Sequence, residues 1–129
     1  MGRPRQATPT PGEYEILEVI WERGPSTVRE VLTELNRKRT RAYTTVMTLM
    51  KGMAEKGLLT KKEQGRAFLY TAKTGREKTR SKMVKELLGR AFGGSTKALM
   101  IHLLQEKNVD KEELAEIRKT IESHEKKKE

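Results

Sequence analysis

A mainly α-helical chain with one small β-hairpin is what this sequence predicts, on three observations. Apolar residues recur at i, i+3, i+4 and i+7 through most of the chain, the period of an amphipathic helix. Threonine or aspartate stands ahead of several such segments with glutamate three positions on, the pattern of a capping box. Only at 58–71 does the pattern shorten to two brief runs around Gly65-Arg66, the signal of a hairpin.

Residues 1–9, MGRPRQATP, carry no apolar period and read as a flexible basic arm. Thr10 caps a first helix, with Pro11 at its first position and Glu13 closing the box. Tyr14, Ile16, Leu17, Ile20 and Trp21 form its buried side, and Gly24-Pro25 stops it. Thr27 and Glu30 open a second helix through Val28, Val31, Leu32 and Leu35. The polar run at 36–41 separates it from a third, within AYTTVMTLMKGMAEKGLL, residues 42–59. Ala42 is a poor cap there, so Thr40 is the alternative. Val46, Leu49, Met50 and Met53 share one apolar stripe, and Lys56-Gly57 ends the helix. Strands are expected at 58–62 and 67–71. Three helices and a hairpin in this order make a winged helix-turn-helix, assigned to residues 10–72.

The remainder, residues 73–129, reads as helical throughout. Met83, Leu87, Leu88 and Phe92 place a helix from about Thr74 to Gly93-Gly94. Ser95 caps another, in which Leu99, Met100, Leu103 and Leu104 face inward. Asp110 and Glu113 open a last one with Leu114, Ile117 and Ile121 on one side. These helices are short and their stripes narrow, too little for a self-sufficient core. The region is therefore expected to be a helical dimerisation domain that buries those residues against a second copy. The Lys126-Lys127-Lys128 tail is the one low-complexity piece.

Composition narrows the function. Hydrophobic residues make up 34% of the chain and charged ones 36%, so the core is thin and self-association is a natural way to complete it. Cysteine is absent, which excludes disulfides and thiolate metal sites. His102 and His124 lie on separate helical segments with no carboxylate at ligand spacing. No glycine-rich loop follows a strand, and neither G-x-S-x-G nor H-E-x-x-H occurs, so no metal, cofactor or enzymatic activity is expected. No apolar run approaches the ~20 residues of a membrane span. With no signal-like segment after Met1, the expected location is the cytoplasm, without membrane insertion.

The net charge of +10 is unevenly placed. Residues 1–36 have a net charge of −2, residues 37–66 of +7 and residues 73–90 of +5, while residues 91–129 balance. A surface charged only for solubility would scatter this excess. Concentrated around the third helix, it points to a polyanion, with double-stranded DNA ahead of a membrane surface.

The third helix suits that partner. Opposite its apolar stripe stand Thr44, Thr48, Lys51 and Glu55, with Thr45 beside them. Short hydrogen-bonding groups near a helix N-terminus can read base edges in a major groove. Lys51 is placed to reach phosphate. Arg41 just ahead of the helix, Lys62 in the first strand and Arg66 at the hairpin tip are placed for phosphate or a minor groove. Tyr43 reads equally as a core-edge residue or as a ring stacked on the DNA backbone. Arg37, Lys38 and Arg39 read equally as a solvated loop or as DNA contacts. Threonine readout discriminates by ~1–3 kcal/mol per good contact. One copy is therefore a weak reader, and two copies on a two-fold axis a selective one. The competing reading is a sequence-tolerant architectural DNA binder.

The segments EYEILEVIWERGPSTVREV, AYTTVMTLM, KGLL, GRAFLYT and FGGSTKALMIHLL follow one another in this order. Through them the chain resembles the penicillinase-repressor (BlaI/MecI-type) family of winged-helix regulators, from residue 10 to about residue 122. The resemblance implies a homodimer that binds a palindromic operator and blocks transcription. It also implies relief through a membrane-bound sensor and protease, by cleavage in the dimerisation helices. The chain departs from the family pattern in three places. Gly52 stands where the family has arginine near the end of the recognition helix. His102-Leu103 stands where β-lactam-regulating members are cut at an Asn-Phe bond, which makes it the candidate cleavage region. The cysteine motif of copper-responsive relatives is missing, which excludes copper sensing of that kind.

Overall fold

The computed structural model describes residues 8–106 and 108–128, so most of the expected basic arm at 1–9 lies outside the described residues. In chain order the elements are α1 (Pro11–Arg23), α2 (Val28–Leu35), α3 (Tyr43–Lys56), β1 (Leu59–Gln64), β2 (Ala67–Ala72), α4 (Arg76–Phe92), α5 (Thr96–Glu106) and α6 (Lys111–Lys128). They divide into two compact units, one ending at Glu86 and the other beginning at Leu87.

Local chemistry sets the helix starts of the first unit. Thr10 Oγ1 accepts from the Glu13 backbone N–H at 3.2 Å while Glu13 Oε1 accepts from the Thr10 N–H at 3.0 Å. Thr27 and Glu30 repeat the exchange at 3.2 and 2.9 Å. Both boxes satisfy N–H groups that the helix itself leaves open. The third start differs from expectation: the N-cap of α3 is Ala42, which supplies no side-chain hydrogen bond, and Thr40 does not take its place. Gly57, at φ 87°, ends α3 in the left-handed conformation that glycine adopts without strain.

The apolar stripes converge as their spacing requires. Ile16, Leu17 and Ile20 from α1, Val28, Val31 and Leu35 from α2, and Val46, Met50 and Met53 from α3 meet Leu59 and Tyr70 from the hairpin. The hairpin is antiparallel from Leu59↔Ala72 to Gln64↔Ala67, and Gly65-Arg66 forms its two-residue turn with Gly65 at φ 64°. Its strands run slightly past the expected ends. Ser26, fully buried, pairs with Tyr70 through bonds of 2.9 and 2.8 Å. The corner between α1 and α2 thus holds the base of the wing.

Trp21 is half-buried rather than part of the core. Its Nε1 donates to the Thr74 carbonyl at 2.9 Å, and the Arg76 guanidinium lies 5.4 Å from its ring centre. Further along α4, which starts at Arg76 rather than Thr74, Thr79 is buried and Arg80 Nε donates to the Tyr14 hydroxyl at 3.4 Å. Thr8 Oγ1 donates to the Glu86 carboxylate. The first half of α4 therefore packs with α1, beyond the division at 72/73 that the order of elements suggests.

The second unit is built differently. Gly93 and Gly94, at φ 56° and 83°, turn the chain at the end of α4, and Ser95 Oγ accepts from the Ala98 N–H at 3.0 Å to start α5. Asp110 Oδ1 accepts from the Glu113 N–H at 2.8 Å at the start of α6. Phe92 and His102 meet edge to face with ring centres 5.5 Å apart. Among the described residues of this unit no side chain is buried. Leu87 is 51% exposed, Leu103 46%, Leu104 51% and Ile121 47%, while Leu88, Phe92, Leu99, Leu114 and Ile117 are half-buried. Among the described residues no helix is long and apolar enough to cross a membrane.

Candidate nucleic-acid interface

The period that buries Val46, Met50 and Met53 turns the other side of α3 outward. Thr44, Thr45, Thr48 and Lys51 are all exposed, and no described residue bonds to the three hydroxyls or pairs with the Lys51 ammonium. A threonine hydroxyl left open can donate to or accept from a base edge, and its methyl can touch a thymine methyl. Beside this face Tyr43 is 38% exposed, with the Arg29 guanidinium 5.0 Å from its ring centre. Arg29 was not singled out by its position in the sequence. Only the packing of α2 against the start of α3 brings it here.

The wing carries more cations. Along β1 and β2 alternate residues share a face. On one face Leu59 and Tyr70 are buried at the base, and beyond them Lys61 Nζ sits 4.5 Å from the centre of the Phe68 ring, itself 41% exposed. Lys62 on the other face and Arg66 in the turn are exposed. Burial, with the nearby Tyr43, pushes the Tyr70 phenol above its ordinary value of 10.0, so it stays a neutral hydroxyl.

Arg41 corrects the sequence expectation. Its side chain is 10% exposed, not free for phosphate, and its guanidinium donates to Glu15 Oε1 at 2.9 Å, to the Arg39 carbonyl at 3.1 Å and to the Leu35 carbonyl. The charge that looked available in the sequence is satisfied inside the unit. Lys56 is similar: its Nζ donates at 2.8 Å to Glu13 Oε2, the second oxygen of the carboxylate that caps α1. Arg37 and Arg39 form exposed ion pairs with Glu34 at 3.4 Å and Glu15 at 3.8 Å, and Lys38 is exposed. Exposed pairs of this kind contribute little to stability and can be given up for a phosphate.

His102 and Leu103, the candidate cleavage region, lie within α5 and are exposed. Among the described residues no group of three or more His, Asp or Glu side chains is placed to hold a metal ion.

The model of the penicillinase-repressor family matches residues 9–123. The chain belongs to the penicillinase-repressor family. At that level it is a DNA-binding repressor of transcription. It is 26% identical over 116 residues to the penicillinase repressor of Bacillus licheniformis, covering 90% of this chain and 91% of the relative. It is 32% identical over 100 residues to the transcriptional regulator BlaI of Mycobacterium tuberculosis, covering 76% of this chain and 72% of that one. Among solved structures, the DNA-binding domain of the repressor BlaI superposes with a TM-score of 0.50 at 29% identity, over 59% of this chain and 90% of that domain.

Proposed function

We propose that the chain is a homodimeric repressor that reads a palindromic operator through α3 and the wing. Relief comes from a signal-dependent, proteolytic event in the C-terminal helices. The observation that carries the first part is the outer face of α3: open threonine hydroxyls beside Lys51, which has no partner among the described residues, with Arg29 over Tyr43 and exposed cations Lys61, Lys62 and Arg66 on the wing. Open hydroxyls specify and cations position, so the face holds both parts of a sequence-reading surface. Support for the homodimer is the second unit, whose apolar residues have no interior of their own to fill. Two observations support proteolytic relief. The relatives are penicillinase and methicillin-resistance regulators by name, and the His102-Leu103 segment is exposed. That segment is regular helix, so α5 must open locally before an extended strand can enter a protease.

Two substitutions separate the roles. Lys51→Ala should flatten the dependence of log affinity on log salt by about one unit, with little change in sequence preference. Thr44→Ala should leave the slope alone and relax preference at one base position, by about 1–3 kcal/mol. Titrating both variants against operator and random duplex checks this. If both lose equally on both duplexes, the division of roles fails and the architectural binder takes its place.

A further inference from the structure

The residue just ahead of α3 is bound on every side. The Arg41 guanidinium is tied to Glu15 on α1, to the Leu35 carbonyl in the last turn of α2 and to the Arg39 carbonyl in the loop, while its own backbone N–H donates to Asn36 Oδ1 at 2.8 Å. The next residue is Ala42, the N-cap of α3, which contributes no side-chain bond. In α1 and α2 the cap itself fixes where the helix begins. In α3 that task falls to the residue before the cap. Thr44, Thr45 and Thr48 follow within the first two turns, so any drift of the loop moves the reading face directly.

We propose that Arg41 is a positioning residue that, through Glu15, fixes the start of the recognition helix and so sets its sequence discrimination. It does not contact phosphate. The proposal rests on the reading of α3 as the DNA-contacting helix. It yields a sign that a phosphate contact cannot give. A cation paired inside the protein releases no counterion when DNA binds, so its loss leaves the salt slope unchanged. Removing the Glu15 charge releases the tie to α1 and leaves the guanidinium on its two carbonyls. A positioning arginine then loses its hold and operator binding weakens. An arginine that merely waits beside DNA would instead gain a phosphate and bind more tightly.

The experiment uses the full chain and its Arg41→Gln, Glu15→Gln and doubly substituted variants. Each is titrated across salt concentrations against the best duplex selected from a random library and against a scrambled duplex. The expected result is a loss of roughly tenfold on the selected duplex for either single variant, the scale of one lost charge-assisted hydrogen bond. Binding to the scrambled duplex stays within about twofold and the salt slope does not change. The double variant is no weaker than Arg41→Gln alone, because the Glu15 tie is already lost in that variant. Glu15→Gln also releases the exposed Arg39, so it is compared with its parent in an Arg39→Gln background; there it keeps the shape of the side chain, leaves the two carbonyl contacts of Arg41 in place and decides the sign even where Arg41→Gln unfolds. The proposal is overturned if Arg41→Gln flattens the slope by about one unit on both duplexes, or if Glu15→Gln binds as well as or better than the parent. If the unsubstituted chain enriches no sequence from the library, the DNA-reading role of α3 falls, and the proposal falls with it.

Discussion

Gly52 shows how much one residue of α3 can be changed. It lies in the helix at an ordinary φ, and a Cβ added to it would meet nothing within 4 Å. Packing does not call for glycine there, and glycine in a helix interior costs about 0.5–1 kcal/mol relative to alanine. Gly52→Ala should therefore raise stability by about that amount, read as a higher midpoint in thermal or urea unfolding. A lower midpoint would mean that the glycine answers a contact the isolated chain does not make. Glu30 has a different sensitivity. The Thr27 backbone N–H, and after it the Arg23 charge, hold its carboxyl below the ordinary value of 4.5. A group whose value is depressed by folding adds stability above its unfolded value and loses it as pH falls through the folded one. The stability advantage of the parent over Glu30→Gln should thus be constant near neutral pH and vanish in acid below the ordinary carboxylate range. Because Glu30 is exposed, the whole effect is small. An advantage that persists unchanged into acid would remove this account of the α2 cap.

At the scale of elements, the parts legible in the sequence are those whose causes are local. The boxes at Thr10-Glu13 and Thr27-Glu30 need only a three-residue spacing, and the wing turn needs only Gly65 between two short runs. Trp21 packs against the core as its spacing implies, but its hydrogen-bond partner, the Thr74 carbonyl, is distant in the chain and invisible to periodicity. Arg41 was misplaced for the same reason, since nothing near it in sequence announces Glu15. Of the candidate site, the threonine face and the wing cations could be read from spacing and charge. Arg29 and the inward turn of Arg41 could not, because both depend on which helix packs beside them. The contacts of α4 with α1 bear on where the chain can be cut. A chain ending at Thr71 loses the Thr74 carbonyl that Trp21 donates to and the Arg80 partner of Tyr14 on α4, whereas one ending at Glu86 keeps both. The longer fragment should unfold cooperatively at a higher temperature than the shorter, and both should bind operator far more weakly than the full chain. Equal midpoints would show that the first half of α4 contributes nothing to the winged helix.

For the whole molecule the two units divide the labour. The first has a closed core and presents a polar, cationic face; the second has exposed apolar helices and no buried side chain among its described residues. On the proposed reading a single winged helix with threonine contacts discriminates weakly, and pairing two of them through the second unit would multiply both affinity and selectivity. The charge map agrees with that reading: the excess of +7 falls on residues 37–66, which hold α3 and most of the wing, while residues 91–129 are balanced. Selection of bound duplexes from a random library by the full chain tests this directly. A two-fold reader returns an inverted repeat, with half-sites a helical turn or a multiple of one apart, and the fragment ending at Glu86 returns only the half-site. A library that yields no enriched sequence, or an unrepeated site with the full chain, contradicts it.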